Sequence, residues 1–187
     1  MSLTSWQLSH AVRIIRQGGV IAYPTEAVYG LGCSPVNYHA VSRILSLKKR
    51  AISKGLILVG SDIGQFAACA DFDRVPDLHP VLASWPGPVT WIIPAKPGTP
   101  DWLTGGKPGI AVRVSAHPVV RRLCDNVGML VSTSANPAHL PPARSALRVR
   151  SYFKTEVDFI LHGAVGTGRT PTQIRDALSG EILRGAE

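Results

Sequence analysis

With 187 residues, 45% of them hydrophobic and 17% charged, the chain is long enough to bury a core and too apolar to be disordered. Its 20 Lys and Arg against 12 Asp and Glu leave a net charge of +8, which favours polyanionic partners, RNA above all, although a soluble basic protein without such a partner has the same balance. Cys33, Cys69 and Cys124 lie far apart with no Cys-x-x-Cys, no run is long enough to span a bilayer, and the start MSLTSWQLSH lacks a signal-peptide pattern, so a disulfide framework, a zinc site and a membrane anchor are not indicated and a cytoplasmic protein is expected.

Leu8, Val12 and Ile15 recur at helical spacing before Gly18-Gly19, which predicts a first helix over residues 5–17. A buried strand over 20–23 then runs into the polar turn Pro24-Thr25-Glu26, and Gly30 and Gly32 read as a bend where other backbone can approach. Glu26 is the one carboxylate of this stretch, and a solvated turn residue and a catalytic group are both open to it. Asn37 can cap a second helix with Val41, Ile44 and Leu45 as its apolar stripe. At its end Lys48, Lys49 and Arg50 complement the helix dipole, or sit at a helix-to-strand junction within reach of a ligand, since a strand over 56–59 follows.

Asp62 caps a short helix through residue 70, and Pro76 and Pro80 mark a loop over 71–80. Past another short helical piece, Trp85 to Pro94 forms a Pro-Gly-Pro turn and a strand bearing Thr90 and Trp91, the latter read as core rather than as a stacking platform for bases. The Pro- and Gly-rich segment 95–108 is long enough to be a mobile cover. In the strand over 110–114, alternation points Arg113 away from Val112 and Val114. His117-Pro118 opens a helix, and a strand over 129–131 ends in Ser132-Thr133-Ser134-Ala135-Asn136, whose polar groups serve a turn or a ribose and phosphate equally well. A helix over 145–153 carries Arg148 and Arg150 in a basic band with Arg144 and Lys154, a strand covers 157–161, and 172–177 with 181–184 form a closing hairpin.

Strands alternating with helices predict an α/β fold around a mixed sheet. The run from Gly163 to Thr170 lacks the Gly-Lys-Ser/Thr ending of a P-loop and reads as a Gly-rich turn. The six histidines show no metal-ligand spacing and no Gly-x-Ser-x-Gly elbow is present. What stands out is three polar constellations beside apolar strands, which suggest one pocket for an anionic ligand.

Taken together these segments resemble the YrdC/TsaC family of threonylcarbamoyl-AMP synthases. The likeness runs through YPTEAVYGLG from Tyr23 to Gly32, Lys-x-Arg at Lys48 and Arg50 with Lys54-Gly55-Leu56-Ile57, and WPGPVT from Trp85 to Thr90. It continues through IAVRV from Ile110 to Val114, Ser-x-Asn at Ser134 and Asn136, and ILRG from Ile182 to Gly185. The resemblance implies a twisted mixed sheet with helices around a large positively charged cavity, in one YrdC-like domain over 1–187 of the catalytic-domain-only form. It implies synthesis of threonylcarbamoyl-AMP and pyrophosphate from L-threonine, bicarbonate and ATP with magnesium, and no tightly bound cofactor. Other proteins would then transfer the threonylcarbamoyl group to tRNA.

By position, Lys48 and Arg50 would grip the triphosphate as catalytic cations, with Lys54, Thr90, Ser134, Asn136 and Arg184 binding ATP. Thr25, Ser132 and Arg113 would bind threonine, Arg113 being suited to its carboxylate. The chain departs from many relatives at Lys54, at Pro137-Ala138-His139-Leu140 after Ser-x-Asn, and at Val59, where relatives that bind threonine through a His carry it. Two other readings compete: a non-catalytic double-stranded RNA or tRNA-binding maturation factor, and a carbamoyl-adenylate enzyme like the similar domains of hydrogenase maturation factors, whose accessory regions are missing from this sequence.

Overall fold

The computed structural model describes residues 3–168 and 172–185. Thr4 opens α1 (Ser5–Arg16) with a reciprocal cap, its hydroxyl accepting from the Gln7 N–H while Gln7 Oε1 accepts from the Thr4 N–H. β1 (Ile21–Pro24), β2 (Tyr29–Cys33), α2 (Tyr38–Lys48), β3 (Ile57–Gly60), α3 (His79–Ala83) and β4 (Val89–Pro94) follow. The chain continues through α4 (Asp101–Thr104), β5 (Gly109–Val114), α5 (Pro118–Val127), β6 (Leu130–Ser134), α6 (Ala146–Phe153), β7 (Phe159–Ile160), β8 (Gln173–Asp176) and β9 (Ile182–Arg184). Asn37 caps α2 as expected, and Ser145 caps α6 and His117 caps α5, all through side-chain acceptors.

The strands form one mixed sheet in the order β7-β1-β2-β6-β3-β5-β4-β8-β9. β1 with β7, β3 with β5 and β4 with β8 are parallel, and the other neighbours are antiparallel. Strand alternation divides the core between two faces. Ala22, Leu31, Leu58, Val112 and Val131 pack with α2 and α6 on one side. Ile21, Tyr23, Val59 and Leu130 pack under α1 and α5 on the other. Ser132, two residues past Leu130, and Ile57, two before Val59, lie on the α1/α5 face in the same register row, and Ala111 and Arg113 continue that face on β5. α1 and α5 cover one end of the face only. The uncovered end is where the site forms.

Four expectations are corrected. Gly30 and Gly32 are not a bend but the middle of β2, hydrogen-bonded to β1 and β6. A Cβ on Gly32 would stand 2.7 Å from both the Tyr23 ring and the Val131 carbonyl, so glycine there serves the packing of a buried tyrosine across the strand. Ser132 and Ser134 lie within β6 rather than in a turn after it, because β2 and β3 pair with it up to those residues. The helix after Asp62 stops at Phe66 as a 3-10 turn. Segment 95–108 packs against the 53–56 loop as a wall of the site rather than standing over it as a cover: α4 buries Leu103 and Thr104, the Leu56 N–H donates to the Leu103 carbonyl at 2.8 Å, and a Cβ on Gly105, left-handed at φ 72°, would meet Gly55 N and Ser53 O at 2.7 Å. Trp91 is core as expected, 3% exposed, while Thr90 takes the opposite face.

Candidate active site

The uncovered sheet face opens into a cavity of about 380 Å³. Arg50, Lys54, Lys107, Arg113 and Arg184 line it, and among the described residues no carboxylate does. Thr25, Ser132 and Ser134 also face it, so seven of the residues singled out by sequence meet in one place. Lys48, Thr90 and Asn136 stand behind the wall, each bonded to a lining residue.

Lys48, the last residue of α2, turns inward and is 6% exposed. Its Nζ donates to the Ser134 carbonyl, to the Asn136 carbonyl at 2.8 Å and to Asn136 Oδ1 at 3.2 Å. The resemblance assigns this ammonium to phosphates; in the structure its donors go to the Ser-x-Asn turn. The Ser134 hydroxyl donates to Asn136 Oδ1 at 2.7 Å, and Asn136 Nδ2 closes the departing loop by donating to the Leu140 carbonyl at 2.6 Å. Burial, and then the Arg50 charge, pull the Lys48 ammonium down to about 8.

Arg50 donates from Nη2 and Nε to the Gly55 carbonyl at 2.9 and 3.3 Å, fixing the loop on which Lys54 projects. Across the close backbone contact of Gly55 with Gly105, Lys107 projects into the same cavity from the second wall. Arg184 on β9 donates to the Thr172 carbonyl at 2.6 Å.

Arg113 is 5% exposed. Its Nη1 donates to Thr172 Oγ1 at 2.8 Å and Thr90 Oγ1 at 3.4 Å, and its Nη2 to Glu26 Oε2 at 3.4 Å. The Ser115 hydroxyl donates to the other carboxylate oxygen of Glu26. Glu26 is therefore a counter-ion with a side chain only 13% exposed, and the solvated reading is set aside. Burial pushes its carboxyl up, but the Arg113 guanidinium and the Ser115 hydroxyl outweigh that and hold it below its ordinary 4.5. A folded value below the unfolded one means the ionised carboxylate stabilises the fold above pH 4.5, and that stabilisation is lost as pH falls through the lower folded value. The melting-temperature gap between the native protein and Glu26→Gln is thus expected to be full at neutral pH and to narrow on acidification below about 4.5. A gap that stays constant with pH would contradict the ion pair.

His117 Nδ1 accepts from the Val119 N–H, which leaves Nε2 to donate to the Ala164 carbonyl at 3.3 Å. Burial lowers its pKa against the raising influence of Glu26, keeping the ring neutral as a cap. Val59 lies on β3 directly beside Arg113 in register and is fully buried, so that position offers the cavity no polar group.

Sequence reasoning missed Thr172, Ser115 and Lys107. Lys107 is a cation at the end of a Gly/Pro-rich segment, a legible signal; Ser115 and Thr172 carry none, since only the tertiary fold brings Ser115 to Glu26 and Thr172 to Arg113. The GAVGTGRT run is not a phosphate site in its described part, Gly163 to Gly168, which lies over Pro24, Thr25 and Glu26; Arg169 and Thr170 fall outside the described residues. Among the described residues no His, Cys, Asp and Glu group could hold a metal, and no helix is long and apolar enough to cross a membrane.

Fold and site define an α/β protein whose sheet face is left open as a cavity walled by arginine and lysine side chains. The family model described as telomere recombination, Sua5/YciO/YrdC, matches residues 13–186, and the chain belongs to that family. It is 49% identical over 185 residues to the threonylcarbamoyl-AMP synthase of Stutzerimonas stutzeri, covering 97% of this chain and 98% of that protein. Against the threonylcarbamoyl-AMP synthase of Pseudomonas aeruginosa PAO1 it is 49% identical over 188 residues, covering 98% and 100%. The crystal structure of P. abyssi Sua5 complexed with L-threonine superposes with a TM-score of 0.91 at 29% identity, and this chain spans 56% of that longer protein. E. coli YciO shares the fold, with a TM-score of 0.84 at 24% identity over 98% of this chain and 90% of that one.

Proposed function

We propose that the protein is an L-threonylcarbamoyladenylate synthase, a nucleotidyltransferase that makes threonylcarbamoyl-AMP and pyrophosphate from L-threonine, bicarbonate and ATP. The observation that carries this is the division of one cavity into a buried, counter-ion-backed Arg113 and a rim of Arg50, Lys54, Lys107 and Arg184. The first suits a single carboxylate; the second suits a triphosphate. Threonine lies with its carboxylate on Arg113, beside Thr25 and Ser132. ATP lies with its phosphates on the rim cations and its sugar near Ser134, whose turn Lys48 and Asn136 hold and behind which Thr90 steadies Arg113. Magnesium arrives on the triphosphate, as the hard oxygen ligands of the phosphates favour.

The threonine amine adds to bicarbonate with loss of water to give a carbamate. A carbamate oxygen then attacks the α-phosphorus and the bond to pyrophosphate breaks. Catalysis rests on holding two anions in line against their repulsion, with Arg50 and Lys54 offsetting charge on the leaving pyrophosphate. The product serves modification of tRNA in the cytoplasm, through proteins that pass its threonylcarbamoyl group on.

The test is pyrophosphate release from ATP and magnesium with threonine and bicarbonate omitted in turn. Release that requires both is expected. Release that needs neither, or none from folded protein that still binds tRNA, would overturn the reading in favour of an RNA-binding role.

A further inference from the structure

Arg113 lines the cavity and spends most of its donors on the wall behind it. Nη1 donates to Thr172 and Thr90 and Nη2 to Glu26, while Nε is buried and has no partner among the described residues. A buried donor without an acceptor is costly, so this guanidinium is under-satisfied beside the cavity it lines.

Glu26 cannot turn away from that guanidinium. Ser115 donates to its carboxylate, the Gly168 N–H donates to its carbonyl at 3.0 Å, and the Gly166 N–H donates to the Thr25 carbonyl at 2.9 Å. A Cβ at Gly166 or Gly168 would stand 2.5 or 2.9 Å from the Glu26 carbonyl. The glycine-rich run that fails as a phosphate loop is therefore a backbone strap, and it needs glycine to lie flat on the Thr25-Glu26 turn.

A buried guanidinium with no counter-charge would draw in any small anion, because its Coulomb attraction is barely screened there. Glu26 places a negative charge against Nη2 of that guanidinium. We propose that Glu26 is a specificity-determining positioning residue: its charge tempers Arg113 so that a lone small anion does not occupy the cavity, and an amino acid binds there only because its other groups supply the remaining affinity. The proposal rests on the reading of Arg113 as the amino-acid carboxylate site.

Glu26→Gln keeps the size and the acceptor for Ser115 and removes the charge. Acetate is expected to become a competitive inhibitor against threonine with a Ki at least tenfold lower than in the native protein, while the KM for ATP changes less than threefold. Glu26→Asp, which keeps the charge, is expected to regain most of the resistance to acetate. Titration of acetate into substrate-free protein, followed by NMR, gives the same ordering without turnover, so a native protein inactive with threonine would count against the function and not against this proposal. Equal acetate affinity in native and folded Glu26→Gln protein overturns it. Should that variant not fold, Glu26→Ala, which also removes the charge, takes its place with the same expected gain in acetate affinity, and unchanged binding there overturns the proposal as well.

Discussion

Arg113→Met is expected to lose threonine-dependent pyrophosphate release by about 100-fold or more in kcat/KM and to destabilise the fold by about 3 kcal/mol. Two effects combine. The substrate carboxylate loses its buried partner, and the Glu26 carboxylate is left without its counter-ion in a place where its side chain is 13% exposed. The stability loss is set at the low end of what breaking a buried pair costs, because the contact is 3.4 Å long and Ser115 still serves one oxygen. Adding Glu26→Gln to Arg113→Met removes the orphaned charge, so the double variant is expected to recover about 1–2 kcal/mol in denaturant melts, while activity stays lost. A double variant no more stable than the single one would show that the two side chains are not coupled.

Lys48→Met is expected to weaken nucleotide binding by about 10- to 100-fold, and to do so equally for ATP and AMP. Methionine fills much the same space but gives the Ser134 and Asn136 carbonyls no donor, so the turn that faces the nucleotide loses its pin. A lysine bound to the triphosphate would behave differently: its removal would hurt ATP far more than AMP. Calorimetric titration of both nucleotides separates the two. In the native protein, affinity is also expected to decline as pH rises through about 8, where the ammonium gives up a proton, and this step should vanish in the variant. For the fold the sign is reversed. With a folded value near 8 against an ordinary 10.5, the buried charge costs stability below pH 8, and that cost is relieved between 8 and 10.5.

The helices and most strands were legible because their signals are local. Thr4 with Gln7, Asn37 before Ala40, and Pro118 after His117 set helix starts through contacts only three residues long or shorter. Alternation in β5 put Arg113 opposite Val112 and Val114, as observed. β2 was missed because glycine at two of its five positions reads as a bend, and only the Tyr23 ring crossing the strand explains the choice.

By itself, then, the sequence determined the alternation of strands and helices, the excess of positive charge, and which polar residues end up around one sheet face. Tertiary structure decided what each of them does there. Arg113 meets Glu26 across 87 residues and Lys48 meets Ser134 across 86. Whether a cation at such a place is a substrate ligand or a pin for the wall depends on burial, distance and the direction of its donors, and those are properties of the packed sheet that no run of neighbouring residues encodes.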